Sequence, residues 1–227
     1  MEGLIFGGIV TLFLGFIVLA IVLSIRADKK RAEAILQFAT QMGFTYEKKL
    51  SGTSAIPCRE AAIFDRGRSR YAKNFMTGKI ADVDLILTDY QYTTGSGKNS
   101  TTYTMTLAAY HVPGLELPDF ALENENFLTR IAEKFGMQDI DFDSHPDFSK
   151  RYRLTGKDEN AVRKLFTSTL LTSIENGLIR NDWRVQAGGG WLIIHSSGKR
   201  LKPEQYQDFL NDSFELTNKL TAEALAG

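Results

Sequence analysis

Asp139, Asp141 and Asp143 occupy alternate positions, and Ser144, His145 and Pro146 follow directly. Carboxylates at every second residue with an imidazole close behind can hold a divalent cation or share a proton in acid–base work. The spacing is that of the start of a calcium loop. An EF-hand, however, needs Gly at its sixth place for a sharp turn and Glu at its twelfth as a bidentate ligand. Ser144 and Lys150 stand there instead, so the match fails where the geometry is most demanding. In a strand the aspartates share one face while Ile140 and Phe142 point to the other. Asp143 and Ser144 before Pro146 also suit a turn whose short side chains bond backbone N–H groups. The structural role is preferred: Asp143 and Ser144 close the turn, and Asp139 and Asp141 face water. Asp141, Asp143 and His145 are the candidates for a metal or acid–base site, and no cofactor is expected.

Elsewhere chemistry-bearing residues are sparse. His111, His145 and His195 lack metal-ligand spacing, and the first and last of them end apolar strands, where an imidazole serves structure. Cys58 is the sole cysteine, which excludes an internal disulfide and a cysteine-based zinc cluster and agrees with a reducing compartment. The run Gly95–Ser100, GSGKNS, invites comparison with a phosphate loop. That loop needs Gly, four residues, then Gly-Lys-Ser/Thr opening a helix. Tyr92 and Asn99 occupy the diagnostic places and a Thr-rich strand follows, so the run is a hairpin loop. The chain carries no Gly-x-Ser-x-Gly elbow, no His-Glu-x-x-His and no dinucleotide fingerprint.

The element that positions everything else is Leu4–Ile25, 22 residues without a charged side chain. As a helix it is about 33 Å long, enough for a hydrocarbon core of ~30 Å. A signal peptide would have a basic start, a shorter apolar centre and a small-x-small cleavage site; here the run passes straight from Ile25 into Arg26. Arg26, Lys29, Lys30 and Arg31 follow the run, and no Lys or Arg precedes it. By the positive-inside rule the N-terminus lies outside the inner membrane and the rest of the chain is cytoplasmic. Gly3, Gly7, Thr11 and Gly15 recur every four residues, a small-residue stripe suited to another membrane helix or a second copy.

Residues 1–25 therefore form the tail and transmembrane helix. Residues 26–43 form a juxtamembrane amphipathic helix, with Ala32, Ile35, Phe38, Ala39 and Met42 at helical spacing and Gly43 as its cap. Residues 44–227 form an α+β domain of antiparallel sheet with packed helices. Strands are expected at 73–80, 83–92 and 101–112, each with one face buried, because Val83, Leu85, Leu87 and Met105, Leu107, Ala109 alternate with more polar positions. Phe44 and Tyr46 mark a short strand, residues 50–69 are largely irregular, and 138–142 and 152–155 are further strands. Phe127, Leu128, Ile131 and Phe135 mark a helix. Asp158 opens another, a short helical run holds Leu170, Leu171 and Ile174, and Pro203 starts the last. Gly188-Gly189-Gly190 joins Trp183–Ala187 to Trp191–His195 as a hairpin. The halves 44–122 and 123–227 can act as subdomains sharing one sheet.

Charge balances at 27 Lys and Arg against 27 Asp and Glu, which gives no support to nucleic-acid binding. The densest basic cluster outside the flank is Arg66, Arg68, Arg70 and Lys73; against an anionic leaflet each is worth about 1 kcal/mol. The run Tyr90–Thr94, the stretch DIDFDSHPDFSKRYRL from Asp139 to Leu154 and the glycine hairpin before Trp191 resemble a family of bacterial single-pass membrane proteins. Its members carry a cytoplasmic domain of unknown function, and the resemblance covers nearly the whole chain. It implies the topology above and marks Asp143–Pro146 as a signature, and it brings no activity or catalytic residue. The reading is a membrane-anchored, non-catalytic interaction or scaffolding module, with the bilayer as its first partner. Its rivals are a hydrolase or metal-dependent enzyme built on Asp139–His145, and an anionic-lipid sensor using Arg66, Arg68 and Arg70.

Overall fold

Helix α1 (Glu2–Met42) is one continuous helix of 41 residues in the computed structural model, which describes residues 2–50, 52–125, 139–196 and 198–226, with side chains from residue 13 onward. The apolar run and the amphipathic segment expected after it are thus parts of a single element. Gly43, at φ +70°, ends it in the left-handed conformation a side chain resists. Phe44 N–H reaches back to Ala39 O at 2.8 Å and Gly43 N–H to Thr40 O at 3.2 Å, the paired bonds of a Schellman stop. Large apolar side chains between Phe13 and Ile25 stand exposed, whereas Ile35 and Ala39 are fully buried in the domain. Among the described residues no helix is long and apolar enough to cross a membrane; the described side chains include only Phe13–Ile25 of the apolar run. Of the small-residue stripe, the side chains of Gly3, Gly7 and Thr11 lie outside the described residues, and Gly15 has open space beside it.

The domain is α+β. Strands β1 (Thr45–Lys49), β2 (Arg68–Ile80), β3 (Val83–Thr94), β4 (Thr101–His111), β5 (Phe120–Asn124), β6 (Tyr152–Gly156), β7 (Trp183–Gly188) and β8 (Trp191–Ser196) make one eight-stranded sheet in the order β1-β2-β3-β4-β8-β7-β5-β6. Every neighbouring pair is antiparallel. The meander β1–β4 supplies one half. The β7–β8 hairpin joins it to β5 and β6 by pairing Leu107 with His195 and Tyr110 with Leu192. Gly189 and Gly190 turn that hairpin at φ +59° and +78°, as a two-residue turn between twisted strands requires.

Helices cover one face. Helices α1, α3 (Glu159–Leu165), α4 (Ser168–Ser173) and α5 (Tyr206–Ala226) bring Ile35, Val162, Leu170, Phe209 and Leu216 onto Leu85, Leu87, Ala108, Val185 and Ile194. Asp158 caps α3 by accepting from Ala161 N–H at 3.0 Å. The opposite face carries a second core, in which Ile56, Ile63 and Phe64 of the 50–67 segment pack on Ile86, Tyr90, Met105 and Leu107. Strands β3 and β4 are therefore buried on both faces rather than one. The irregular segment does the work of a covering layer because its apolar side chains recur without a period.

Three elements depart from expectation. Phe120–Asn124 is a strand, held between β6 and β7, and residues 122 and 123 are neighbours within it. Pro146–Arg151 forms a short helix, α2, with Pro146 in its first turn. The strand expected at 138–142 reduces, among the described residues, to a single bridge between Asp139 and Thr155. The helix expected around Phe127–Phe135 lies outside the described residues.

Candidate functional site

The Asp139–Phe148 stretch folds into a turn and α2, and its carboxylates do not converge. Asp139 sits 3.9 Å from Arg153 Nε; burial, and then the neighbouring Asp141 charge, raise its pKa. Asp141 and Asp143 are exposed. Arg163 donates to the Asp141 carbonyl at 2.8 Å and lies over the Phe142 ring. The turn is closed by residues other than the two expected. Phe142 N–H donates to Ser149 Oγ at 2.9 Å, and Glu175 Oε1 accepts from Phe148 N–H at 2.9 Å. Among the described residues neither Asp143 nor Ser144 caps a backbone N–H. The reason is that helix α2 starts at Pro146, so the free N–H groups of its first turn lie beyond both side chains and are met from distant chain. His145 is buried, with Nδ1 at 3.0 Å from Ser144 Oγ and Nε2 at 3.4 Å from Thr172 Oγ1. Its nitrogens meet hydroxyls, not carboxylates. No group of three His, Cys, Asp or Glu able to hold a metal exists among the described residues.

The strongest polar constellation lies where α1 enters the domain. Arg31 shares a helix face with Ile35 and Ala39, at i, i+4 and i+8. Asp89 shares a β3 face with Leu85 and Leu87. Arg31 Nη2 approaches the Asp89 carboxylate oxygens at 2.9 and 2.8 Å and Nε reaches Oδ2 at 3.1 Å. Arg31 also donates to Leu201 O at 2.6 Å and to Tyr206 Oη at 3.1 Å. Asp89 takes further bonds from Thr106 Oγ1 at 2.7 Å and Asn74 Nδ2 at 3.0 Å. Asn74 reaches it because β2 bulges there: Lys73 pairs with Asp89 but Met76 with Leu87, and Asn74 adopts φ +50°. Tyr46 Oη then donates to Asn74 Oδ1 at 2.9 Å. One buried carboxylate thus ties together α1, β1–β4, the Leu201 turn and α5. Sequence reasoning placed Arg31 in the membrane flank and missed Asp89. The available signal was a carboxylate in phase with Leu85 and Leu87, which a buried face admits only with a cation.

The basic cluster is dispersed. Arg68 bonds Gly95 O and Ser100 Oγ, and Arg70 bonds Phe64 O and Asp65. Arg66 stacks over Tyr92 at 5.4 Å. Each fastens a covering loop to the sheet. Lys73 alone of the four lines a groove with Lys29 and Arg31, while Arg26 and Lys30 are exposed on α1. On the sheet face opposite the helices Arg184 and Glu123 form a buried pair at 3.5 Å. Burial, helped by the Arg184 charge, drives the His195 pKa down to about 3, and His111 Nδ1 meets Asp84 at 3.3 Å. Cys58 is buried, which pushes its thiol up to about 12.

A cleft of about 370 Å³ opens between the 60–65 segment and strands β5–β7, lined by Glu60, Asp65, Asp119, Thr155, Lys157 and Gln186. Lys157 is paired with Asp119, and the Gln186 Nε2 is buried without a partner among the described residues. Carboxylates outnumber the cation and no imidazole lines it, so the cleft suits binding better than proton transfer.

No family model and no curated protein matches the chain. A solved structure is similar in fold: the crystal structure of the mycobacterial trehalose monomycolate transport factor A. It shares 13% identity at a TM-score of 0.61, covering 86% of this chain and 95% of that one. The likeness is one of architecture.

Proposed function

We propose that this chain is a membrane-anchored, non-catalytic interaction module. Its anchor is Leu4–Ile25, and its α+β domain faces the cytoplasm. The observation that carries this reading is the division of α1. Between Phe13 and Ile25 the helix is ringed by exposed apolar residues, with Phe13, Phe16 and Ile25 at 64, 70 and 63%, and such a surface needs an apolar medium around it. Beyond Arg31 the same helix is part of the domain core. A helix continuous from bilayer to core holds the domain at a fixed pose against the membrane, which suits a module that presents a surface.

The described residues gather no nucleophile, base and oxyanion donor in one place. The acidic cleft beside Glu60 is the surface best shaped to receive a partner. The solved neighbour's name as a transport factor belongs to that protein, and only its fold carries over.

The test uses the full chain with a C-terminal tag in a Gram-negative host. The chain is expected to stay in the membrane pellet after alkaline carbonate washing, with the tag protected from protease in intact spheroplasts. Release by carbonate overturns the anchor, and digestion before lysis overturns the orientation. A photocrosslinker at Glu60 is expected to give a discrete adduct that Asp119→Lys abolishes; no adduct, or one insensitive to that change, overturns the module reading.

A further inference from the structure

A groove of about 760 Å³ runs between the start of the domain-bound part of α1 and the sheet edge, with Ile25, the last residue of the apolar run, at its rim. Its basic lining is Lys29, Arg31, Lys48, Lys49, Lys73 and Arg200, against two acidic residues, Asp28 and Glu47. Part of this charge is spoken for. Arg31 is bound to Asp89, Lys29 lies 3.9 Å from Glu33, and Arg200 lies 3.8 Å from Asp28.

Lys48, Lys49 and Lys73 have no carboxylate within ion-pair distance among the described residues. The Lys49 and Lys73 ammonium groups both sit over the Tyr71 ring, at 5.7 and 5.4 Å from its centroid. Two cations held on one ring repel each other, and an anion placed between them relieves that repulsion. Lys48 and Lys49 stand exposed on the edge strand β1.

Position supplies the identity of the anion. A headgroup layer is roughly 5–8 Å deep on each side of the hydrocarbon core. Four residues of helix from Ile25 to Lys29 advance about 6 Å, so the groove mouth beside Lys29 lies at headgroup level with Ile25 at the hydrocarbon boundary. We propose that this groove binds the phosphate of an anionic phospholipid from the leaflet that α1 leaves. The inference rests on the anchor reading above and deepens it, since a bound headgroup fixes the rotation of the domain about α1 as well as its height.

The experiment takes the full chain in detergent, adds phosphatidylglycerol or phosphatidylcholine of identical acyl chains, and counts retained lipid by native mass spectrometry. Phosphatidylglycerol is expected to be retained at least fivefold over phosphatidylcholine. Lys48→Gln/Lys49→Gln/Lys73→Gln removes the preference, and Lys150→Gln/Lys164→Gln/Lys219→Gln, an equal charge change elsewhere, preserves it. Both variants are first shown to melt within a few degrees of the parent. Equal retention of the two lipids, or equal loss in both variants, overturns the groove. Displacement of phosphatidylglycerol by millimolar inorganic phosphate would show a free-phosphate site and overturn the lipid assignment. A chain that resists carbonate but shows no lipid preference refutes the groove alone; a chain that carbonate strips refutes the anchor, whatever the lipid count.

Discussion

Arg31 and Asp89 lie 58 residues apart in the chain and meet at 2.8 Å, with side chains 15 and 4% exposed. The Arg31 guanidinium reaches both carboxylate oxygens, and Thr106 and Asn74 donate to the same two, Oδ1 and Oδ2 respectively. A buried pair this fully bonded offsets much of its desolvation cost, and removal of one partner leaves an uncompensated charge. Arg31→Ala is expected to lower stability by about 3 kcal/mol and Asp89→Ala by at least as much. Arg31→Lys loses the fork and falls between. Urea melts of the full chain in detergent measure this; a change below about 1 kcal/mol in Asp89→Ala would show the latch to be incidental.

The turn at Asp139–Phe148 gives a prediction opposite to the one its sequence suggests. Asp143→Ala should stay within about 0.5 kcal/mol of the parent, as exposed substitutions do. Ser149→Ala removes the acceptor of Phe142 N–H and should cost about 1 kcal/mol. Calcium or zinc should leave the melting temperature unchanged. A metal-dependent rise that Asp143→Ala abolishes would restore the metal reading.

His195 makes stability rise with pH between about 3 and 6.5. Its folded pKa is about 3, below the ordinary histidine value of about 6.5. Between those values the unfolded chain binds the proton that the folded chain refuses, so this contribution is complete above pH 6.5 and is lost on acidification. The slope is up to about 1.4 kcal/mol per pH unit. Asp84, held low by its hydrogen bond from Lys79 and then by His111, adds in the same direction only nearer its ordinary range. Melts of the parent and His195→Gln from pH 7 to 5 test the sign; parallel profiles would remove His195 as the cause.

Cys58 is 1% exposed and its thiol is pushed up to about 12, so little thiolate exists at neutral pH. Dithionitrobenzoate should label it only after denaturation. Rapid labelling of the native chain would reopen a nucleophilic role.

Gly78 lies under the Phe44 ring, which a Cβ there would overlap. Gly78→Ala is expected to cost about 1–3 kcal/mol by forcing that ring aside. Phe44 follows the Schellman stop of α1, so the same change should also raise hydrogen exchange in the last turn of the helix, Phe38–Met42. Exchange there unchanged from the parent would show that the ring does not secure the helix end.

What the sequence determined by itself is whatever local period and turn chemistry encode. The apolar run and its basic flank, the β3–β4 hairpin, the paired glycines between β7 and β8, the Asp158 cap and the last helix all follow from neighbours within a few residues. Tertiary structure alone decided the rest. Phe120–Asn124 becomes a strand because β6 and β7 flank it, and its own five residues are too few to show an alternation. The 50–67 segment becomes a second core layer because a two-faced sheet needs a cover. Arg31 reads as a membrane-flank charge until Asp89 appears beneath it, and Lys73 reads as part of the Arg66–Arg70 cluster until β2 returns beside β1 and sets it opposite Lys49. A charge's task depends on which distant group the fold brings within a few ångströms, and chain spacing carries no record of that distance.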